Sequence, residues 1–209
     1  QSAFSWIKNR DATDNHMLFD RVRGATKDLH SNSTAAQVTN VNTVQRFLEA
    51  GVQVGNDVEV NTANESYVLW NWMTEATGSG TLNEVGSIDS TVLVDTTLGM
   101  SVGTYTGTTS AATIGHGLGV VPSMVLVKSV DRATGWYVYH ADLTANTYYL
   151  RLDTPAAQSS GGATIFNSTS PTSTVFSIGT NGEINSAEEY MFIAFAPSEF
   201  ISIGSYIGS

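Results

Sequence analysis

His116 stands between glycines in Gly115-His116-Gly117-Leu118-Gly119, where small neighbours could expose an imidazole for a ligand or for proton transfer. The same glycines suit a tight turn feeding a strand after Pro122, and a structural or interface role is the expectation. His140 is followed by Asp142, while His16 and His30 lie far off in sequence. Cys is absent, there is no Gly-x-Ser-x-Gly elbow and no His-Glu-x-x-His pair, so nucleophilic and zinc chemistry lack their usual residues. Carboxylates pair at Glu188-Glu189 and at Asp11 with Asp14, and with Asn15 the latter make an oxygen-rich loop that could hold calcium. That loop lacks the Gly and terminal Glu of an EF-hand, and neither a metal nor a cofactor is expected. For sugar binding the ring-bearing candidates are Tyr148, Tyr149 and Trp136, with Tyr148-Tyr149 beside Asn146 and Thr147 preferred. Trp70 and Trp72, sharing one strand face, are expected in a core or interface.

The elements that would carry these residues are strands. Ser123–Val130, Trp136–His140, Tyr148–Leu152, Ser173–Ile178 and Glu189–Ala196 are rich in Val, Ile, Tyr, Phe and Thr and are separated by Gly, Asn, Asp, Ser and Pro. Alternation puts Trp136, Val138 and His140 on one face and Tyr137 and Tyr139 on the other. Thr180-Asn181-Gly182-Glu183 reads as a tight reversal. Asn42 could cap a helix over Val44, Phe47 and Leu48, but the matching Ser159–Phe166 carries Gly161-Gly162, which allows one helical turn at most.

The match between those stretches is part of a larger repetition. Lys8 answers Lys128 at an offset of 120, Leu29 answers Leu150 at 121, Val54-Gly55 answers Ile178-Gly179 at 124, and Glu65-Ser66-Tyr67 answers Glu188-Glu189-Tyr190 at 123. Anchors in one order with slowly drifting offsets indicate duplication. Gly103-Thr104-Tyr105-Thr106-Gly107 opens the second unit, and Gly204-Ser205-Tyr206-Ile207-Gly208 reads as the opening strand of a further one. The expected architecture is all-β: two tandem antiparallel β-sandwich, jelly-roll-like units over 1–98 and 99–200, with 201–209 starting a third, in a window cut from a longer polypeptide.

Composition narrows the partners. The net charge of −10 repels nucleic acid, and no apolar run approaches the ~18 residues of a membrane span. Only 13% of residues are charged, so Ser, Thr, Asn and Gly must build the polar surface. Asn32-Ser33-Thr34 and Asn167-Ser168-Thr169 fit the glycosylation pattern and are read as turns.

The order Gly103–Gly107, His116-Gly117-Leu118-Gly119-Val120-Val121-Pro122, Val125–Lys128 and Trp136–His140 resembles a repeat family of uncharacterised function. So do Pro171–Phe176 with Ile178-Gly179, and Phe4–Arg10 with Leu18–Gly24. That family occurs in virion structural proteins of tailed phages, marine and cyanobacterial ones above all. The resemblance implies a non-enzymatic structural or adhesive component of a tail fibre, head fibre or capsid decoration, at the virion surface and outside the cell. It implies self-association, with a trimer as the first expectation, contacts with other virion proteins, and a host surface glycan as a possible ligand. A carbohydrate-binding receptor module is the alternative reading, and a polysaccharide depolymerase the third.

Overall fold

A computed structural model describes residues 1–209. The chain is almost all β, with two helices of one turn each. Its strands are β1 (Ser2–Asn9), β2 (Met17–Asp20), β3 (Lys27–His30), β4 (Val38–Thr39), β5 (Val44–Leu48), β6 (Gly51–Val54), β7 (Tyr67–Met73), β8 (Thr81–Asn83) and β9 (Ser90–Asp95). They continue with β10 (Met100–Thr106), β11 (Ala112–Gly115), β12 (Met124–Ser129), β13 (Tyr137–His140), β14 (Tyr148–Arg151), β15 (Ser159–Ser160), β16 (Val175–Ile178) and β17 (Glu189–Phe195). Helix α1 (Val58–Asn61) precedes β7 and α2 (Gly182–Asn185) precedes β17. No helix is long and apolar enough to cross a membrane.

Two antiparallel sheets dominate, and neither is closed. Sheet I runs β4-β3-β2-β1-β7, and sheet II runs β15-β14-β13-β12-β17-β10-β9-β8. The first five strands of sheet II repeat the order of sheet I. Hairpin β5-β6 and the pair β11-β16 form two small separate sheets.

Individual hydrogen bonds repeat as well. Arg21 N donates to Ala3 O and Ala141 N to Ser123 O; Gly55 N donates to Thr43 O and Gly179 N to Ile165 O. His16 N donates to the Asn32 side chain, as Trp136 N does to that of Asp153. Tyr67 Oη donates to Val58 O and Tyr190 Oη to Gly182 O, each hydroxyl accepting from the residue just past its helix. The helices carry the same cap: Asp57 and Asn181 each accept from the backbone N–H two residues on. Asn181-Gly182 therefore starts a helical turn where the sequence suggested a reversal, because the Asn side chain is used as a cap. Val44–Leu48, the candidate helix, is a strand: its apolar residues pair with Gly51–Val54 instead of stacking on a helical face.

The cores explain why the strands alternate. Val44, Ile7, Met17, Phe19 and Val60 fill the outer side of sheet I beneath β5-β6 and α1. Tyr137 and Tyr139 enter the outer side of sheet II with Phe166, Phe176 and Ile184, whereas Trp136 and Val138 face the other way. On that inner side Phe4, Leu18 and Leu29 of sheet I meet Leu126, Val138 and Ile193 of sheet II in one cluster. The two copies thus share a core in addition to the one each keeps.

The stretch 81–95, expected before the unit boundary at 98, belongs to sheet II. Val92 and Leu93 are buried on opposite faces of it, so β9 is an interior strand beside β10. Residues 201–209 form no strand, and Ile201 and Ile203 pack against the shared core.

Gly55 and Gly179 close both copies tightly. A Cβ on Gly55 would lie 2.3 Å from Asn42 O, and one on Gly179 2.5 Å from Thr164 O. Gly55→Ala and Gly179→Ala should each cost about 1–3 kcal/mol by forcing backbone apart. Gly208→Ala, which meets nothing, should change stability by less than about 0.5 kcal/mol. Urea unfolding of the three variants checks this.

Candidate functional site

The strongest internal correspondence surrounds two lysines. β1 and β12 each carry a Lys as the last residue but one, and its ammonium turns into the following loop. Lys8 Nζ donates to Asn9 O at 2.6 Å and Ala12 O at 3.1 Å; Lys128 Nζ donates to Ser129 O at 2.8 Å and Arg132 O at 3.1 Å. Carboxylates pin the same loops to the last strand of each copy. Asp11 Oδ2 accepts from Ser66 N, and Asp131 Oδ2 from Glu189 N. Asn9 Nδ2 donates to Glu65, and Ser129 Oγ to Glu188. Lys128 is wholly buried, and desolvation pulls its amine down to about 8. A neutral buried amine can act as nucleophile or base. Here it is committed to two carbonyls and has no accessible surface, so its work is to brace the loop.

Beside each helix the copies diverge. In the second, Tyr137 Oη donates to Glu183 at 2.5 Å, Arg151 lies 4.7 Å from the centre of the Tyr137 ring, and Arg151 pairs with Asp153 at 3.1 Å. Burial and the Glu183 hydrogen bond push the Tyr137 phenol far up. In the first, the corresponding positions are Met17, Glu59, His30 and Asn32. His30 Nε2 lies 3.3 Å from Asp28 Oδ2 and 4.0 Å from Glu59 Oε2, with no hydrogen bond formed. The framework is repeated while its polar side chains are exchanged.

The sequence-level candidates separate. Trp136 is buried completely and its Nε1 donates to His30 O at 2.8 Å, across the two copies. No face of its ring is left for a sugar, a correction whose cause is the inward phase of β13. Tyr149 packs against the outer core of sheet II, its ring 5.3 Å from that of Tyr137. Tyr148, on the opposite face of β14, is half-buried, so neither tyrosine is the open platform expected.

His116 is buried as well. Its Nδ1 accepts from Leu118 N and its Nε2 lies 3.1 Å from Thr172 O, so the Nε2 proton fills that second bond. Burial pulls its pKa down, against the opposing effect of the Thr172 carbonyl. It ties the Gly-rich turn to the loop that leads into β16. His140 Nδ1 accepts from Asp142 N in a local turn. Around the oxygen-rich loop, Asp14 accepts from Asn9 and Asn15 donates to Glu59, and no group of three His, Asp or Glu capable of holding a metal is gathered anywhere.

What the sequence concealed lies between the sheets. A cavity of about 210 Å³ opens there with ten lining residues, all hydrophobic. Its walls are equivalent residues facing one another: Phe4 and Met124, Leu18 and Val138, Trp72 and Phe195. Trp72 and Phe195, matched at an offset of 123, touch with ring centroids 6.2 Å apart. Equivalent positions in contact are the mark of a self-complementary, two-fold-like arrangement. A neighbouring cavity of about 330 Å³ shares Trp72, Met124 and Phe195 and is bounded by Phe200–Ile203.

One family model, described as a domain of unknown function (DUF7483), matches residues 1–209, both copies together. The chain belongs to the DUF7483 family. No curated protein and no solved structure matches it. On β7 of this DUF7483 chain, Trp70 is 46% exposed and packs edge-on against Trp6 at 5.8 Å. The doublet Trp70-Asn71-Trp72 assigns both rings to one face, and only the inner one reaches the shared core.

Proposed function

We propose that this DUF7483 chain is a non-enzymatic structural and adhesive component of a virion appendage, in a tail fibre, head fibre or surface decoration. In this reading each copy is a small antiparallel sandwich, a main sheet with a two-stranded outer layer, and the tandem units stack through their inner faces. The carrying observation is that bracing is duplicated while chemistry is not. Lys8 and Lys128, the capped one-turn helices and the paired glycines recur, whereas His16 answers Trp136 and His30 answers Arg151, so no histidine recurs. Selection for a scaffold keeps the first set and lets the second drift. The resemblance to phage virion repeats gives the setting: outside the cell, self-associated, with a trimer as first order and other virion proteins as neighbours. Immunogold labelling of purified particles tests it: label on a fibre or the capsid surface is the expected result. Particles without label would remove the virion assignment.

The carbohydrate-binding reading draws on a specific observation, the exposed ring of Trp70 beside Trp6, and on the half-buried Tyr148. A glycan array in which binding falls at least tenfold with Trp70→Ala or Tyr148→Ala would favour it; silence across the array would leave the scaffold role alone.

A further inference from the structure

The two main sheets differ in one respect. β17 is paired on both sides, with β12 and with β10, whereas its equivalent β7 is paired only with β1. The free edge of β7, Tyr67-Val68-Leu69-Trp70-Asn71-Trp72-Met73, bears no charge, and no strand pairs with it. Natural edges are usually blunted by Lys, Pro or bulges, and an uncharged apolar one is a template for another strand.

The strand that would fit is written in the chain. Ser101-Val102-Gly103-Thr104-Tyr105-Thr106-Gly107, most of β10 and the residue after it, is matched at an offset of 101 by Ser202-Ile203-Gly204-Ser205-Tyr206-Ile207-Gly208. Ser, Gly, Tyr and Gly are identical, Val102 with Ile203 and Thr104 with Ser205 are conservative, and Thr106 with Ile207 shares only the β-branch. This second copy of the motif is unpaired: Tyr206 is 94% exposed and Ile207 97%. The segment from 201 to 209 is also free of charge.

We propose that Gly204–Gly208 of one molecule adds as an antiparallel strand to the free edge of β7 in a second copy, reproducing the β10–β17 pairing while Ile201 and Ile203 stay in their own core. The observed register, Met100 to Phe195, Gly103 to Phe192 and Tyr105 to Tyr190, transfers directly. It sets Gly204 opposite Leu69 and Tyr206 opposite Tyr67. Within sheet II a Cβ on Gly103 would lie 2.7 Å from the Phe192 ring, so a bare Gly lets the neighbouring side chain cross the strand. Tyr105 stacks on Tyr190 at 5.2 Å and 15°, and donates to Ile184 O. Gly204 gives Leu69 the same room, and Tyr206 stacks on Tyr67 above α1.

A second copy is the occupant because the molecule's own segment is held elsewhere. Ser198 Oγ donates to Leu98 O and Ser198 N to Ile201 O, Ile201 and Ile203 lodge in the shared core, and the path then passes Asp142. The contact is heterologous, joining the segment of one copy to the edge of the next. It closes a ring such as a trimer if the rotation allows, and otherwise extends a filament. It deepens the array reading and rests on it.

The 209-residue chain, measured by light scattering after size exclusion over a hundredfold concentration range, should associate. Its β7 amides should exchange slowly in the oligomer and rapidly in the monomer. Tyr206→Pro, at an exposed position that leaves the core untouched, should weaken association at least tenfold and expose β7. A synthetic peptide of residues 201–209 should bind the variant and restore protection of β7. A chain that stays monomeric with β7 unprotected overturns the proposal, as does slow β7 exchange in a monomer, where the chain's own segment would cover the edge. Oligomers unaffected by Tyr206→Pro overturn this contact while leaving an array built by other surfaces intact.

Discussion

Trp136→Ala lowers the unfolding free energy by about 3–5 kcal/mol, the range for truncating a large buried aromatic side chain. For a chain of this size that corresponds to a fall in Tm of roughly 10 °C. The ring has no accessible surface, sits among residues of both sheets, and donates its indole N–H to His30 O of the other copy. Removing it leaves a cavity in the core that the copies share and takes away the shorter of the two hydrogen bonds that His30 O accepts, the other coming from Ser33 N at 3.4 Å. Trp136→Phe keeps most of the apolar surface and should cost less, about 1–3 kcal/mol, for the smaller ring and the lost indole hydrogen bond, His30 O keeping its bond from Ser33 N. Because the core is shared, both variants should still unfold in a single transition. Urea titrations followed by circular dichroism read the midpoint, and an unchanged slope would show that the denatured state is unaffected.

The second large effect is on pH. Burial lowers the Lys128 amine to about 8 from the ordinary 10.5, so between those values the unfolded chain still binds a proton that the folded chain has released. Stability therefore rises with pH across this window. Over the whole window the shift corresponds to about 3 kcal/mol, and about 2 kcal/mol of it falls between pH 7 and 9.5. Measurement stops there because Tyr105 and Tyr137, whose phenols burial pushes up, oppose the trend at higher pH. Lys128→Met removes the titrating group, so the wild-type rise minus that of the variant should recover about 2 kcal/mol. Parallel curves would mean that Lys128 is solvated in the folded state.

Much of the fold was legible because strand periodicity and turn residues are local properties. The five strand segments from Ser123 to Ala196 fall on β12, β13, β14, β16 and β17, and the opposed faces of Trp136 and Tyr137 lead to different cores. Glycines matched at 55 and 179 were visible as anchors before their close approaches were. What the sequence left unread depends on how copies meet. Trp136 is as aromatic in a core as on a surface, and only the packing of sheet I on sheet II decides that it is enclosed. Asn181-Gly182 serves equally as a reversal or a helix cap, and the segment after it settles the matter by making one turn beneath Tyr190. The stretch from 74 to 97 lacks large aromatics and reads either as a link between the units or as edge strands through Val92-Leu93-Val94; burial of Val92 and Leu93 seats β9 inside sheet II, between β10 and β8. The cavity faced by Phe4 and Met124 needs both copies to exist and has no signal in either alone.

The central claim is that the two copies are one body, joined face to face through a common core. Hydrogen exchange of the Trp136 indole N–H, followed by NMR, tests it most directly, since that proton lies in the bond to His30 O. Exchange only at the rate of global unfolding is the predicted result. Rapid exchange while the amides of β12 and β13 stay protected would mean that the copies part without unfolding, and would contradict the shared core.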